Sequence, residues 1–228
     1  MSGSITAAYV LTSNAATAKA KGVTEPLVVH VNVGDCLTVN FTNRRANARA
    51  SLSVGELSKA GGSSGVNVGF DPEQTVLPGK RQTYKFYAES ESIEAAQFSD
   101  FGGDATGRIG LYGAFVVHAK GTWLTSPTTG LRTMTGAIVD AHVPGKPGYR
   151  DDTLFLQDTD PQIGSDFMPY PLKVDGLTLV NYKNAGRRTD DFSGTVATPV
   201  LQAYVGDAMR IHVLSTPGSE QPHVFRAG

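Results

Sequence analysis

Cys36 is the only cysteine of the 228-residue chain and the only residue that could supply a thiolate to a metal. A copper site built on a thiolate also needs imidazole ligands and commonly a thioether. Neither a histidine nor a methionine follows Cys36 at the spacing of a short loop, and a lone cysteine excludes an internal disulfide. We therefore predict that Cys36 is a small, buried, hydrophobic side chain.

Five histidines could offer imidazole nitrogens to a metal. His30 and His118 lie within strong strand signals, which predicts structural residues whose hydrogen bonds are satisfied. His212 alternates with two apolar neighbours and so points to the opposite face, either at the surface or behind a metal ligand. His142 precedes a Pro-Gly loop and is predicted to be exposed. The fifth histidine is His223, and its local sequence alone predicts no more than an ordinary strand histidine.

Four aspartates, Asp151, Asp152, Asp158 and Asp160, flank the apolar segment Leu154–Leu156. Carboxylate oxygens suit hard ions such as manganese, so a metal-entry or manganese-binding role is one interpretation. The favoured prediction is that these aspartates are solvated strand ends. The sequence has no glycine-rich phosphate motif, no serine nucleophile elbow and no zinc-spaced cluster of cysteines and histidines.

The composition favours an all-β protein. The chain has 26 glycines and 12 prolines, only 18% charged residues, and a net charge of −1. Many turn residues and few charges are typical of sheet proteins, and a chain without basic surplus is a poor candidate for nucleic-acid binding. No apolar run has the length of a membrane span. The opening residues, MSGSITAAYV, do not resemble a signal peptide.

Period-two patterns and turn residues predict a series of strands. They are Pro26–His30, Leu37–Phe41, Thr83–Tyr87, Gly110–His118, Gly136–Asp140, Thr153–Gln157, Pro171–Leu179 and Pro199–Leu214. In the second strand Leu37, Val39 and Phe41 share one face. The nearly continuous apolar run Gly110–His118 predicts burial on both faces. The only helix candidate is the short segment Glu89–Gln97.

A pattern of Val-Gly-Asp followed by a strand occurs twice, at Val33–Val39 and Val205–Ile211, and each copy follows a proline-led apolar strand. Chance could produce such a pattern in any β protein, but we favour two homologous sandwiches in tandem. Few residues remain after the second copy, so its domain should lack its closing strands. We predict a domain at 1–122, a linker at 123–135 and the first part of a second domain at 136–228.

Three segments resemble, in chain order, the landmarks of a multicopper oxidase domain of the cupredoxin type. They are Val33–Asn43, Leu77–Phe86 and the most specific one, Gly110–Val117 (GLYGAFVV). Leu172–Gly176 is similar to the opening of the copper-bearing domain of those proteins, and Ser219–Phe225 to the strand that delivers its first histidine ligand. The spacing and the acidic patch Glu89–Glu94 most resemble six-domain members, namely ceruloplasmin-like proteins and bacterial manganese oxidases. The resemblance implies Greek-key β-sandwiches of the cupredoxin type.

The chain departs from this family where copper should bind. Family members build a three-copper cluster from two His-x-His pairs, but the corresponding stretches, Ala50–Glu56 and Gln97–Gly103, contain no histidine. Copper prefers imidazole nitrogen to serine or aspartate oxygen, so the first domain should be structural. The resemblance makes His223 the first imidazole of a type 1 copper site whose cysteine, second histidine and methionine lie outside the chain. An ordinary strand histidine is the competing interpretation.

Two hypotheses about function follow. In the first, the chain is a segment of a multicopper oxidase, inactive alone, completed by the rest of a parent protein or by a partner chain, with copper as the cofactor. In the second, it is a copper-free, non-enzymatic β-sandwich module for binding or assembly, and a partner covers its open sheet edge. The resemblance alone implies an extracellular or periplasmic location.

Overall fold

The computed structural model of the protein describes residues 7–21, 25–69, 73–103, 109–158, 178–182, 201–216 and 225. These residues form twelve strands and few helical turns, so the predicted all-β class is confirmed. The strands are β1 (Leu27–Asn32), β2 (Cys36–Thr42), β3 (Ser53–Val54), β4 (Ser58–Lys59), β5 (Arg81–Tyr87), β6 (Ala95–Ser99), β7 (Tyr112–His118), β8 (Trp123–Thr125), β9 (Ile138–His142), β10 (Tyr149–Asp158), β11 (Thr178–Val180) and β12 (Met209–Ser215). One short helix, α1, spans Ala15–Lys21.

The strands form three sheets. The first has the order β1-β7-β6-β3, the second β2-β5-β4, and the third β11-β10-β9-β8 with β12 paired to β10. The β1–β7 and β10–β12 pairs are parallel, and the other strand pairs are antiparallel. We refer to the first and second sheets together as the sandwich.

Residues on the facing sides of the first two sheets form the core of the sandwich. Leu37, Val39 and Phe41 of β2 pack against this core, as predicted from their alternation. Tyr84, Phe86, Phe98 and Phe115 are among its buried members, and aromatic rings contact one another across it.

Strand β7 is buried along its whole length, as its apolar sequence predicts. Phe115 and Val117 belong to the core of the sandwich, whereas Ala114 and Val116 belong to a second cluster with Phe155 of β10. Because side chains alternate along a strand, one face of β7 packs inside the sandwich and the other packs against the third sheet. The first sheet is therefore the middle of three layers.

The repeated Gly-Asp motif forms the same turn twice. The backbone N–H of Asn32 donates to Asp35 Oδ2, and that of Tyr204 donates to Asp207 Oδ2, both at 2.8 Å. The glycines between them have φ of +94° (Gly34) and +98° (Gly206), a region that favours glycine. The local likeness of the two copies is therefore structural, although the division of the chain into two domains and a linker stays a prediction.

One predicted segment differs from the structure. The helix expected at Glu89–Gln97 is wrong, because only Glu91–Ile93 forms a 3-10 turn and Ala95 already begins β6. Pairing with β7 on one side and β3 on the other holds this segment in a sheet, so tertiary contacts override its local preference. The expected linker contains the three-residue strand β8, which pairs with β9.

The predicted strand Pro171–Leu179 lies largely outside the described residues. The predicted strand Pro199–Leu214 is confirmed only from Met209, where β12 begins; residues 201–208 are described and form no strand, so the prediction is wrong there. Within the described part of the chain, no helix is long and apolar enough to cross a membrane.

Gly113 lets β7 lie very close to the backbone of β1 and to the ring of Phe98. A Cβ at this position would lie 2.3 Å from the Leu27 carbonyl oxygen and 2.3 Å from the Phe98 ring. We predict that Gly113→Ala lowers the free energy of unfolding by about 1–3 kcal/mol, because the backbone of β1 cannot move aside cheaply. Urea unfolding measures the effect. Gly55→Ala is the matched control, since nothing lies within 4 Å of a Cβ there; equal stability of both variants would contradict the packing argument.

Candidate functional site

The predicted metal ligand His223 lies outside the described residues, as do Asp160 and the side chain of Asp158. Among the residues that the structure does describe, no three histidine, cysteine, aspartate or glutamate side chains are grouped so that they could hold a metal ion. Two of the buried polar clusters in the described part concern the predicted site residues. One joins the two stretches that lack histidine pairs, and the other lies between the first and third sheets.

The first cluster centres on Asp100. Its Oδ1 accepts hydrogen bonds from the Ser51 N–H at 2.6 Å, the Gly102 N–H at 2.7 Å and the Ser51 hydroxyl at 3.3 Å. The Ser51 Oγ in turn accepts from the Phe101 N–H at 2.9 Å. The Arg45 guanidinium lies 3.7 Å from the other carboxylate oxygen. The two stretches that the sequence resemblance aligned with histidine pairs therefore lie side by side here, joined by a serine and an aspartate.

Burial and hydrogen bonding act in opposite directions on this carboxylate. Burial raises the pKa of Asp100, while the hydrogen bonds from Gly102 and Ser51 and the charge of Arg45 oppose the rise. The close approach of the two stretches depends on Gly102, because a Cβ there would lie 2.6 Å from the Ala50 Cα. This cluster, the Ser51–Asp100 knot, therefore has the features of a structural tie between neighbouring segments.

The second cluster is a chain of hydrogen bonds between the sandwich and the third sheet. His30 Nε2 lies 2.8 Å from the Gly136 carbonyl oxygen, His30 Nδ1 lies 2.9 Å from His118 Nε2, and His118 Nδ1 lies 2.9 Å from the Tyr149 hydroxyl. Both histidines are buried, which confirms their prediction as satisfied structural residues. We call this series the imidazole chain.

The groups at the two ends of the imidazole chain, the Gly136 carbonyl and the Tyr149 hydroxyl, determine the tautomers of the two histidines. A carbonyl oxygen only accepts, so His30 Nε2 carries the proton and His30 Nδ1 accepts from His118. His118 Nδ1 must then accept from the Tyr149 hydroxyl. All four ring nitrogens are engaged, and burial lowers the pKa of His118 to about 4, with a further contribution from His30.

The expectation that Asp151 and Asp152 are solvated strand ends is wrong. Both lie inside the ten-residue strand β10, paired with β9 and β12, and are almost fully buried. His212 of β12 is buried beside them, with its Nε2 at 3.2 Å from Asp151 Oδ2, so its position is not at the surface. Arg210 of the same strand lies over the ring of Tyr149, 4.5 Å from its centroid.

Cys36 is also corrected, because its side chain is exposed rather than buried. It begins β2, an edge strand, and lies in phase with Thr38 and Asn40 rather than with the core-facing Leu37. His142, predicted to be exposed, is partly buried and stacks on the Trp123 ring at a centroid distance of 3.8 Å.

Sequence reasoning missed the partners in both clusters. Period-two alternation does place His30 on the same face as Val28, and His118 on the same face as Val116. However, nothing local indicates that Tyr149 meets His118, since this contact joins separate sheets. The Ser51–Asp100 contact could have been inferred from the resemblance, because it joins the two stretches where histidine pairs were sought.

No protein-family model matches the sequence, and no curated protein matches it. Solved structures do match. The chain aligns with the copper nitrite reductase from Nitrosomonas europaea at 18% identity and a TM-score of 0.50, over 82% of this chain and 55% of that one. It aligns with a multicopper oxidase at 16% identity and a TM-score of 0.50, over 86% of this chain and 53% of that one.

The chain thus spans about half the length of these two structures. At such low identity the likeness shows the fold. It confirms the predicted fold class, an all-β, Greek-key β-sandwich of the cupredoxin type.

Tyr149→Phe tests the imidazole chain. The substitution removes the hydroxyl that donates to His118 Nδ1 and leaves a buried acceptor without its donor, so we expect the free energy of unfolding to fall by about 1–3 kcal/mol. Tyr204→Phe is the control, because this tyrosine is 86% exposed and its loss of a hydroxyl should change stability little. Denaturant unfolding at neutral pH measures both; an unchanged Tyr149→Phe would contradict the assigned hydrogen bond.

Asp152→Asn tests the buried carboxyl. Burial raises the pKa of Asp152 from 3.8 to about 6, so the unfolded chain ionises first as the pH rises and the folded state loses stability between these values. We expect Asp152→Asn to raise the free energy of unfolding by about 1–3 kcal/mol at neutral pH. At a pH of about 4 it should have little effect, because the carboxyl of the folded protein is then already neutral. Glu56→Gln, at an exposed position, should be neutral at both; a destabilised Asp152→Asn at neutral pH would refute the assignment.

Proposed function

We propose that this chain is a segment of a multicopper oxidase-type protein. The first domain is structural and copper-free, and the second contributes His223 to a type 1 copper site completed by residues outside this chain. The parent protein would couple the oxidation of a substrate or metal ion to the reduction of oxygen. The sequence resemblance further favours a six-domain parent located outside the cytoplasm.

The Ser51–Asp100 knot is the observation that carries this proposal. It lies where the resemblance assigns the three-copper cluster, on the stretches beside the paired strands β3 and β6. Its serine and aspartate oxygens are hard ligands, whereas copper prefers imidazole nitrogen. Asp100 Oδ1 already accepts three hydrogen bonds within the protein. The Ser51–Asp100 knot therefore supports the proposal that the first domain keeps the architecture of the family, with hydrogen bonds in place of copper coordination between these two stretches.

When bound, a type 1 copper ion accepts single electrons and passes them on. The part assigned to this chain is narrower, namely to hold one imidazole, that of His223, in a fixed direction from the second domain. Cys36 does not fit the thiolate role, because it is exposed on β2 at the far sheet of the sandwich. The thiolate, the second imidazole and the thioether must then come from the rest of the parent protein or from a partner chain.

A second candidate function is a copper-free β-sandwich module for binding or assembly. The absence of both histidine pairs from the sequence favours it as well. The coding sequence beyond Gly228 distinguishes the two candidates. A cysteine followed by a histidine and a methionine supports the oxidase segment, and a stop codon supports the module.

Copper titration of the isolated chain tests the incomplete site. We expect no intense blue absorption, because a strong thiolate-to-copper band requires a cysteine together with two imidazoles and Cys36 has no such neighbours. A strong band that disappears in Cys36→Ser would overturn the proposal. In the full parent protein, His223→Gln should abolish the blue band while His142→Gln, on a residue stacked against Trp123, leaves it unchanged.

A further inference from the structure

We propose that the contact between the sandwich and the third sheet is a pH-sensitive latch, closed while the imidazoles of His30 and His118 are both neutral and released when either gains a second proton. This inference rests on the geometry of the imidazole chain and does not depend on the proposed copper function.

The latch lies where the two halves of the molecule meet. His30 and His118 belong to β1 and β7 of the first sheet, and Tyr149 belongs to β10 of the third sheet. Gly136, which accepts from His30, precedes β9 and bonds through its own N–H to Val28 of β1. The hydrogen-bonded series therefore crosses from one layer to the next.

The hydrogen bonds of the imidazole chain are all satisfied only when each imidazole carries one proton. In the neutral state every donor faces an acceptor, from the Tyr149 hydroxyl through His118 and His30 to the Gly136 carbonyl. A second proton on His30 Nδ1 would face the N–H of His118, and one on His118 Nδ1 would force the tyrosine hydroxyl to turn away. Either event leaves donors opposed or unpaired in a buried site, which is costly.

Most of the ionisable side chains around the imidazole chain disfavour a second proton on it. From β12, Arg210 and His212 face it, and from β10 Asp151 faces it; Arg210 also lies 3.9 Å from Glu91 of the 3-10 turn. Of these side chains only Asp151 would stabilise an imidazolium, and its Oδ2 already contacts His212; the hydrogen bond to the Gly136 carbonyl also favours a charged His30. Burial is the largest cause of the lowered pKa of both His30 and His118.

The direction of the pH effect follows from these lowered pKa values. An imidazole released into water has a pKa near 6.5, and His118 in the closed contact has a pKa of about 4. The released form therefore binds more protons between these values, so acid favours it. Above about pH 6.5 both forms are neutral and the contact is at its strongest.

Spin labels can report the opening directly. Cys36 is the only cysteine and is exposed on the sandwich, and Val205 is fully exposed on the turn that precedes β12. In labelled Val205→Cys protein, we expect a narrow distance distribution at about pH 7.5 and a longer, broader one at about pH 4.5, reversible on neutralisation. Adding His142→Gln to this labelled protein should leave the response to pH unchanged.

The double variant His30→Gln/His118→Gln removes the titrating groups and keeps polar side chains, so its distance distribution should be the same at both pH values. If that variant does not fold, imidazole ¹⁵N shifts of the wild type provide the test, because the distances must change together with protonation of His118. A wild-type distribution that stays constant while His118 becomes protonated would overturn the latch, as would a double variant that keeps the full response.

Discussion

The rest of the structure depends on the burial of the first sheet on both faces. Strand β7 supplies Phe115 and Val117 to one core and Ala114 and Val116 to the other. Its parallel pairing with β1 holds both sets in register over six residue pairs. Burial of apolar area on both sides of this sheet stabilises the fold, and it makes every polar group on the sheet costly unless it is paired.

The imidazole chain and the Ser51–Asp100 knot both follow from the burial of polar groups on or beside the first sheet. His30 and His118 occupy the face towards the third sheet. An unpaired imidazole there would lose its hydrogen bonds to water and gain none in the protein. Each therefore pairs with the other and with a group at either end of the imidazole chain. At the edge of the same sheet, Asp100 is held by backbone N–H groups and by Ser51. Both clusters thus satisfy the same requirement with different chemistry.

The sequence allowed the prediction of features whose cause is local. Strand β7 follows from a nearly continuous apolar run, and the face of Leu37 on β2 follows from apolar alternation. Wrong predictions arose where the cause is distant or was overlooked. Asp151 is buried because β12, some sixty residues later, pairs with β10. Cys36 could have been predicted correctly, since its alternation with Leu37 puts it on the outer face.

The repeated turn shows how far local sequence determines structure. Asp35 and Asp207 accept equivalent hydrogen bonds, and the glycines before them share a left-handed conformation. The strands that follow nevertheless pair differently, since β2 is antiparallel to β5 whereas β12 is parallel to β10. A turn closes over four residues and needs only its own side chains, while a strand takes whichever partner buries its apolar face. The Val-Gly-Asp motif therefore specifies the turn, and the pairing of β12 with β10 depends on residues such as Leu214, which packs in the same cluster as Phe155.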